Sequence, residues 1–218
     1  NPVRQISLRN LGRVFAGEVR SWAALGGPDV PIRLHLAEEG TAVAQSFGAR
    51  VLDRYAAAAA PGTVRHSSQA DLTDAVSRDP AAIGITAFSE TGSARIMPLV
   101  GPCGFPAVPG PESLKTEDYP LTAPLFAYLP ARRLPKPARD FLDYVQSPQA
   151  GLVVRRAGFV DQRLETIPLD RQGLRIANAV REAGDGVDLA DLRAMVERLF
   201  GAERLTVTFR FEEGSAEL

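Results

Sequence analysis

Apolar positions along the chain alternate between a helical and an extended period, and each change of period predicts an element. Leu8, Leu11, Val14 and Phe15 recur three and four apart behind Ser7, with Gly17 beyond them, which predicts a capped helix. Trp22 and Leu25 follow in a short turn ending at Gly26-Gly27, and Pro31 opens a strand through Ile32, Leu34 and Leu36. After a Gly-Thr turn, Val43, Phe47, Val51 and Tyr55 recur every four residues. That spacing predicts a helix of about four turns, which the Ala56–Ala60 run extends to Pro61-Gly62. Val64 begins another extended piece. Ser68 and Asp71 form a capping box for a helix carrying Leu72, Ala75 and Val76. Asp79-Pro80 ends that helix, and residues 82–88 read as a buried strand. Helix, strand, helix, strand, helix, strand is the order of an α/β domain with a mostly parallel sheet.

The second half is less regular. Residues 98–124 are rich in Pro and Gly and read as a long surface excursion, after which Leu125–Leu129 returns as a strand. Pro137 starts a helix with Ala138, Phe141, Leu142 and Val145 on one face. Ser147-Pro148 caps the next, which Gly158 closes. Asp170 is expected to cap a helix bearing Leu174, Ala177 and Val180, and Asp188 with Asp191 one bearing Leu192, Val196 and Leu199. Leu205, Val207, Phe209 and Phe211 then alternate strictly, the pattern of a half-buried strand.

Composition narrows the function. The net charge of −1, with acids and bases interspersed, argues against nucleic acid as a partner. A single Cys103 excludes an internal disulfide and a Cys-based metal site, and is expected to be a small apolar filler. With two histidines in the chain there is no defensible Ser/His/Asp or metal-ligand spacing. Neither an enzyme nor a bound cofactor or metal is expected. No apolar run approaches the ~18 residues of a membrane span. The start at Asn1-Pro2, without Met, suggests a mature or trimmed chain.

The candidate chemistry lies in residues 32–47, a strand, a tight loop and a helix start. Backbone N–H groups and the positive end of the helix dipole meet at such a loop and suit an anion. Here it also carries Glu38 and Glu39. Two readings stand side by side. In one, Thr41 is only a helix cap, with Glu38 and Glu39 facing solvent near the dipole. In the other, Gly40 lets a ligand approach the backbone and Thr41 offers its hydroxyl. His66, Trp22 and the Ser67-Ser68 pair read more simply as surface or packing, core, and helix cap.

Several blocks, in order, resemble a known family. Asn1-Pro2-Val3, Ile6-Ser-Leu8, Val14-Phe15-Ala-Gly17, Ser21-Trp22 and Leu25-Gly26-Gly27 are similar to the second lobe of periplasmic phosphate-binding proteins. These are the soluble receptors of ABC phosphate importers. Val64-Arg-His-Ser67, Ala82-Ile-Gly84, Tyr119-Pro-Leu121, Phe141-Leu-Asp143 with Ser147-Pro148, and Ala157-Gly-Phe159 continue the resemblance to about residue 165. It implies a periplasmic-binding-protein type 2-like lobe, hinged to a first lobe this chain lacks, with Leu121–Leu129 as the returning hinge strand. The helices of 137–158 would pack on that other lobe.

In the phosphate receptors the loop reads Ser-Gly-Thr, with an Arg four positions ahead of the Ser. Gly40 and Thr41 match; Glu39 stands for the Ser and His35 for the Arg. Both replacements disfavour phosphate. His lacks the permanent bidentate charge of Arg, and a carboxylate about 5 Å from an oxyanion costs about 1–3 kcal/mol. The resemblance still implies ligand binding at Gly40, Thr41, Glu39 and His35, in the periplasm or cell envelope. The alternative is a structural module that kept the receptor fold.

Residues 205–218 are similar to the opening strand and turn of an OmpA-like peptidoglycan-binding domain, whose ligand contacts would lie beyond residue 218. The expected organisation is a lobe over 1–168, a helical linker over 169–203 and the start of the OmpA-like domain over 204–218. A homodimer through an exposed apolar face is a further expectation.

Overall fold

Ser7 ends a two-residue strand, β1 (Ile6–Ser7), and caps α1 (Leu8–Phe15) by accepting the Asn10 N–H at 3.1 Å. The computed structural model describes residues 2–55, 57–101, 105–184 and 186–207. Cys103 lies outside them, as does most of the segment read as the OmpA-like start. Leu11, Val14 and Phe15 on one face of α1 are buried. A 3-10 turn, Trp22–Leu25, follows, with Trp22 fully buried and its indole N–H donating to Ala81 O at 2.8 Å.

The central sheet is parallel throughout. β2 (Arg33–Ala37) lies between β3 (Val64–His66) and β4 (Ala82–Gly84). Between β2 and β3 runs α2 (Ala42–Phe47), continued by a π-helical turn over Gly48–Leu52 and a 3-10 turn over Asp53–Tyr55. A four-residue spacing is longer than the 3.6 of a regular helix, so the wider turn is what keeps Phe47 and Val51 both facing the core. Phe47 meets the Phe15 ring edge-on at 5.0 Å.

Ala57–Ala60 do not extend this helix. Ala57 N–H bonds Leu52 O, closing the π turn, and the chain then leaves the helical path. Ala60 N–H donates to Phe15 O at 2.7 Å, and Ala57 and Ala59 pack against the core. Tertiary burial overrides the high helix propensity of Ala. α3 (Gln69–Arg78) has the expected Ser68 cap. β4 is shorter than the 82–88 expected, because Gln69 Oε1 takes the Ala87 N–H at 2.6 Å and the Thr86 hydroxyl at 3.0 Å.

The Pro- and Gly-rich excursion also differs from expectation, since part of it enters the core. β5 (Leu99–Val100) pairs in parallel with β1, β6 (Pro106–Ala107) pairs antiparallel with β5, and Leu99 is buried. A short helix, α4 (Pro111–Lys115), follows. Tyr119 packs against the core, and burial pushes its phenol up to about 12.

Leu125–Leu129 joins no sheet among the described residues, contrary to the strand expected. Leu125, Phe126 and Tyr128 are 73%, 72% and 92% exposed. A strand is stable only where its N–H and C=O groups find a partner, and none stands beside it. α5 (Lys136–Val145) and α6 (Pro148–Arg156, capped by Ser147) pack on each other and leave Phe141, Tyr144 and Leu152 exposed.

β7 (Thr166–Pro168) pairs antiparallel with β8 (Glu203–Leu205), bracketing α7 (Gly173–Glu182) and α8 (Leu189–Leu199). Asp170 does not cap α7. It sits in a 3-10 turn over Leu169–Gln172, and Gln172 precedes the helix with its amide donated to Ile167 O. Asp188 caps α8 as expected.

Ion pairs fasten this end to α4 and the turn after it. Arg171 pairs with Glu112, Arg175 and Arg204 pair with Asp118, and Lys115 pairs with Glu165 at 3.0 Å. At their centre Lys115 Nζ holds Asp161 Oδ1 at 2.8 Å, with both side chains buried, and Arg155 takes the other oxygen. The core cluster itself is built from residues between Val3 and Leu99, with Tyr119 and Leu121 packed on it.

Candidate functional site

The loop between β2 and α2 stands at the carboxyl end of the central parallel strand, the end at which open α/β sheets bind ligands. Glu38 N–H donates to His66 O at 2.9 Å, carrying the pairing with β3 one residue beyond the ladder. Gly40 has φ +87, and an added Cβ would meet nothing within 4 Å. The left-handed backbone, not crowding, calls for glycine there, and the space outside stays open. Thr41 closes the turn. Its Oγ1 accepts the Ala44 N–H at 3.3 Å and donates to Glu38 O at 2.8 Å. The hydroxyl proton is thus already committed, and the donors left at the loop are backbone N–H groups of the first helical turn, which have no intrahelical acceptor.

His35, at the position matching the receptors' Arg, is buried at 8% exposure. Its Nδ1 is 2.9 Å from His66 Nε2, with the rings stacked at 5.2 Å, so one proton is shared between two imidazoles. Burial, then the charge of His66, lowers its pKa below the usual histidine value; Arg33 adds to this and Asp79 opposes it. His35 therefore brings no fixed charge to the loop.

A fixed positive charge comes from a residue the sequence showed only as part of a block. Arg65, opposite Leu36 in the ladder, reaches across the end of β2. Its Nη1 donates to Ala37 O at 3.0 Å and its Nη2 to Glu39 Oε1 at 3.1 Å. The structure thus brings Glu39, Gly40 and Thr41 together on one loop, places His35 beneath it, and adds Arg65.

A cavity of about 1810 Å³ reaches this segment at Ala42, Val43, Ser46 and Phe47 of α2, and not at Glu39, Gly40 or Thr41. It continues past Leu72, Phe88 and Arg155 and is far larger than a small anion fills. Chemistry rather than volume therefore singles out the loop. Among the described residues no cluster of three or more His, Cys, Asp or Glu side chains is placed to hold a metal ion. No helix among them is long and apolar enough to cross a membrane.

Residues 11–160 match the sequence profile of a family described as bacterial extracellular solute-binding protein. The chain belongs to this family. Its members are described as solute-binding proteins. The chain is 29% identical over 146 residues to the phosphate-binding protein PstS of Bacillus subtilis (strain 168), covering 66% of this chain and 46% of that one. It thus spans about half the length of this curated relative.

Among solved structures, a protein from Clostridium perfringens with bound phosphate aligns with a TM-score of 0.63 at 20% identity, over 75% of this chain and 65% of that one. An ABC-type phosphate transport receptor from Vibrio cholerae aligns with a TM-score of 0.58 at 17% identity, over 73% and 65%. The fold is that of a periplasmic-binding-protein type 2 lobe, α/β with a parallel sheet, as the resemblance implied.

Proposed function

We propose that this chain is the ligand-facing part of a bacterial envelope solute receptor that takes a small oxyanion, phosphate first, at the loop of Glu39, Gly40 and Thr41. The observation that carries this reading is the open, left-handed Gly40 turn at the carboxyl end of β2. It is joined by 29% identity to a relative named for phosphate binding. Gly40 gives the ligand access to backbone N–H groups, and Thr41 holds the turn that points them outward. His35 braces β2 against β3 through His66 and so fixes where the turn begins.

Calorimetry tests this directly, with the longest product its gene encodes titrated with inorganic phosphate and with sulfate. Saturable heat below millimolar phosphate supports the reading, and none at millimolar from either anion overturns it. A second reading, a structural module that kept the receptor fold, is favoured by two details: the Glu39 carboxylate on the loop and the inward donation of the Thr41 hydroxyl. It predicts no heat from the natural protein and measurable phosphate binding only after Glu39→Ser. Anchoring to peptidoglycan rests on the similarity of residues 205–218 to an OmpA-like start, and co-sedimentation of the same gene product with purified peptidoglycan tests it.

A further inference from the structure

We propose that Arg65 is the residue that meets the ligand's charge in this lobe, and that Glu39 is its exchangeable counter-ion, displaced when an oxyanion arrives. This rests on the oxyanion reading of the loop and adds the source of its charge.

The two ends of the Arg65–Glu39 pair are unequal. Arg65 is the anchored end. It projects from a strand, its side chain is 29% exposed, and the Nη1 bond to Ala37 O ties it to the last residue of β2 whether or not Glu39 is present. Glu39 is the free end. Its side chain is 85% exposed and holds the guanidinium through one 3.1 Å bond.

Exposed pairs of this kind contribute little, so an anion that brings two oxygens to the guanidinium can replace a carboxylate that brings one. Arg65 has the capacity to receive it, because two of its five N–H donors are engaged among the described residues and three remain. His35 and His66 beneath share a proton, and the lowered pKa of His35 opposes a second positive charge there. The guanidinium thus supplies the permanent charge that His35 does not.

A purely structural role for Arg65, pinning the loop to β3, makes the opposite prediction for its partner. If the pair is a strut, neutralising Glu39 loosens the loop and weakens binding. If Glu39 is a competitor, neutralising it frees the guanidinium and tightens binding. The test is calorimetry with inorganic phosphate on the longest gene product, comparing the natural protein with Glu39→Gln, Arg65→Gln and Arg65→Lys, with melting temperatures recorded alongside.

Expected are a 3- to 10-fold tightening (order of magnitude) for Glu39→Gln and a weakening of about 10- to 100-fold for Arg65→Gln. Arg65→Lys should recover part of the loss, since it restores the charge without the fork. Affinity of Arg65→Gln within about twofold of the natural protein, or weaker binding by Glu39→Gln, overturns the proposal while leaving the receptor reading intact. Should Arg65→Gln fail to fold, the sign of the Glu39→Gln change decides alone, because that side chain carries almost no packing. Natural protein that gives no heat with phosphate overturns this proposal and the receptor reading together.

Discussion

Replacing Asp161 by Asn removes one charge from the buried cluster of Lys115, Asp161 and Arg155 at nearly constant shape. The Asp161 and Lys115 side chains are 5% and 8% exposed, and their atoms are 2.8 Å apart. Breaking such a pair from one side leaves the other charge uncompensated, which costs about 3–5 kcal/mol. Lys115 would keep Arg163 O at 2.8 Å and the half-exposed Glu165 at 3.0 Å, so the lower end of that range, about 3 kcal/mol, is expected. With a urea slope of about 2 kcal/mol per molar, the midpoint falls by about 1.5 M.

Acid adds a second signature. Burial alone would raise the Asp161 carboxyl, but the hydrogen bond and charge of Lys115, the charge of Arg155 and the Arg163 backbone outweigh it and hold it below the usual carboxylate range. A depressed carboxylate stabilises the fold above its unfolded value and loses that contribution as pH falls through the folded value. The gap between natural and Asp161→Asn proteins should therefore be full at pH 6 and close as pH drops below about 4. The double change Lys115→Met with Asp161→Leu should regain most of the loss, because the two charges left without these partners, Arg155 and Glu165, are 40% and 53% exposed rather than buried. A midpoint shift for Asp161→Asn below about 0.3 M, with no dependence on acid, would refute the cluster as a source of stability.

Thr41→Ala removes the acceptor for Ala44 N–H and should cost about 1 kcal/mol, read as a lower urea midpoint. Because His35 is lowered in the folded state, its contribution is present above about 6.5 and lost as pH falls toward the folded value. Denaturation at pH 7.5 and 5.5 should show the weaker fold at 5.5, and an NMR titration placing His35 at or above 6.5 contradicts this. Trp22 is the chain's one tryptophan and is fully buried, so native fluorescence should be blue-shifted and move to the red on unfolding. Trp22→Phe removes the indole bond to Ala81 O, which keeps the Arg33 N–H at 3.1 Å, and should cost about 1 kcal/mol for that bond in the same urea assay.

What was legible in the sequence was what local chemistry decides. Ser7, Ser68, Ser147 and Asp188 each cap a helix by accepting an N–H three residues on, and each is visible as a short motif. The α/β order followed from periodicity, and Gly40-Thr41 from a strand running into a capped helix. Contacts set by register across the sheet were not legible. Arg65 reaches Ala37 only because β2 and β3 run parallel with Leu36 opposite it, and the same register brings His66 to His35. Leu99 escaped because a two-residue strand is too short to show a period. Ala57–Ala60 misled because their strong local preference loses to the bond between Ala60 and Phe15.

The ion pairs that fasten α7 and β8 to α4 imply that cohesion is unevenly distributed along the chain. Residues 3–99 are held by a continuous apolar cluster, which salt strengthens if it affects it at all. The C-terminal end leans on arginines such as Arg171 and Arg175, more than half exposed, which added ions screen within a few ångströms. Opposite responses to ionic strength at the two ends are the expected consequence. In concentrated salt the α7–α8 hairpin is the first to let go, exchanging its amide protons while the sheet that carries the Gly40 loop still protects its own.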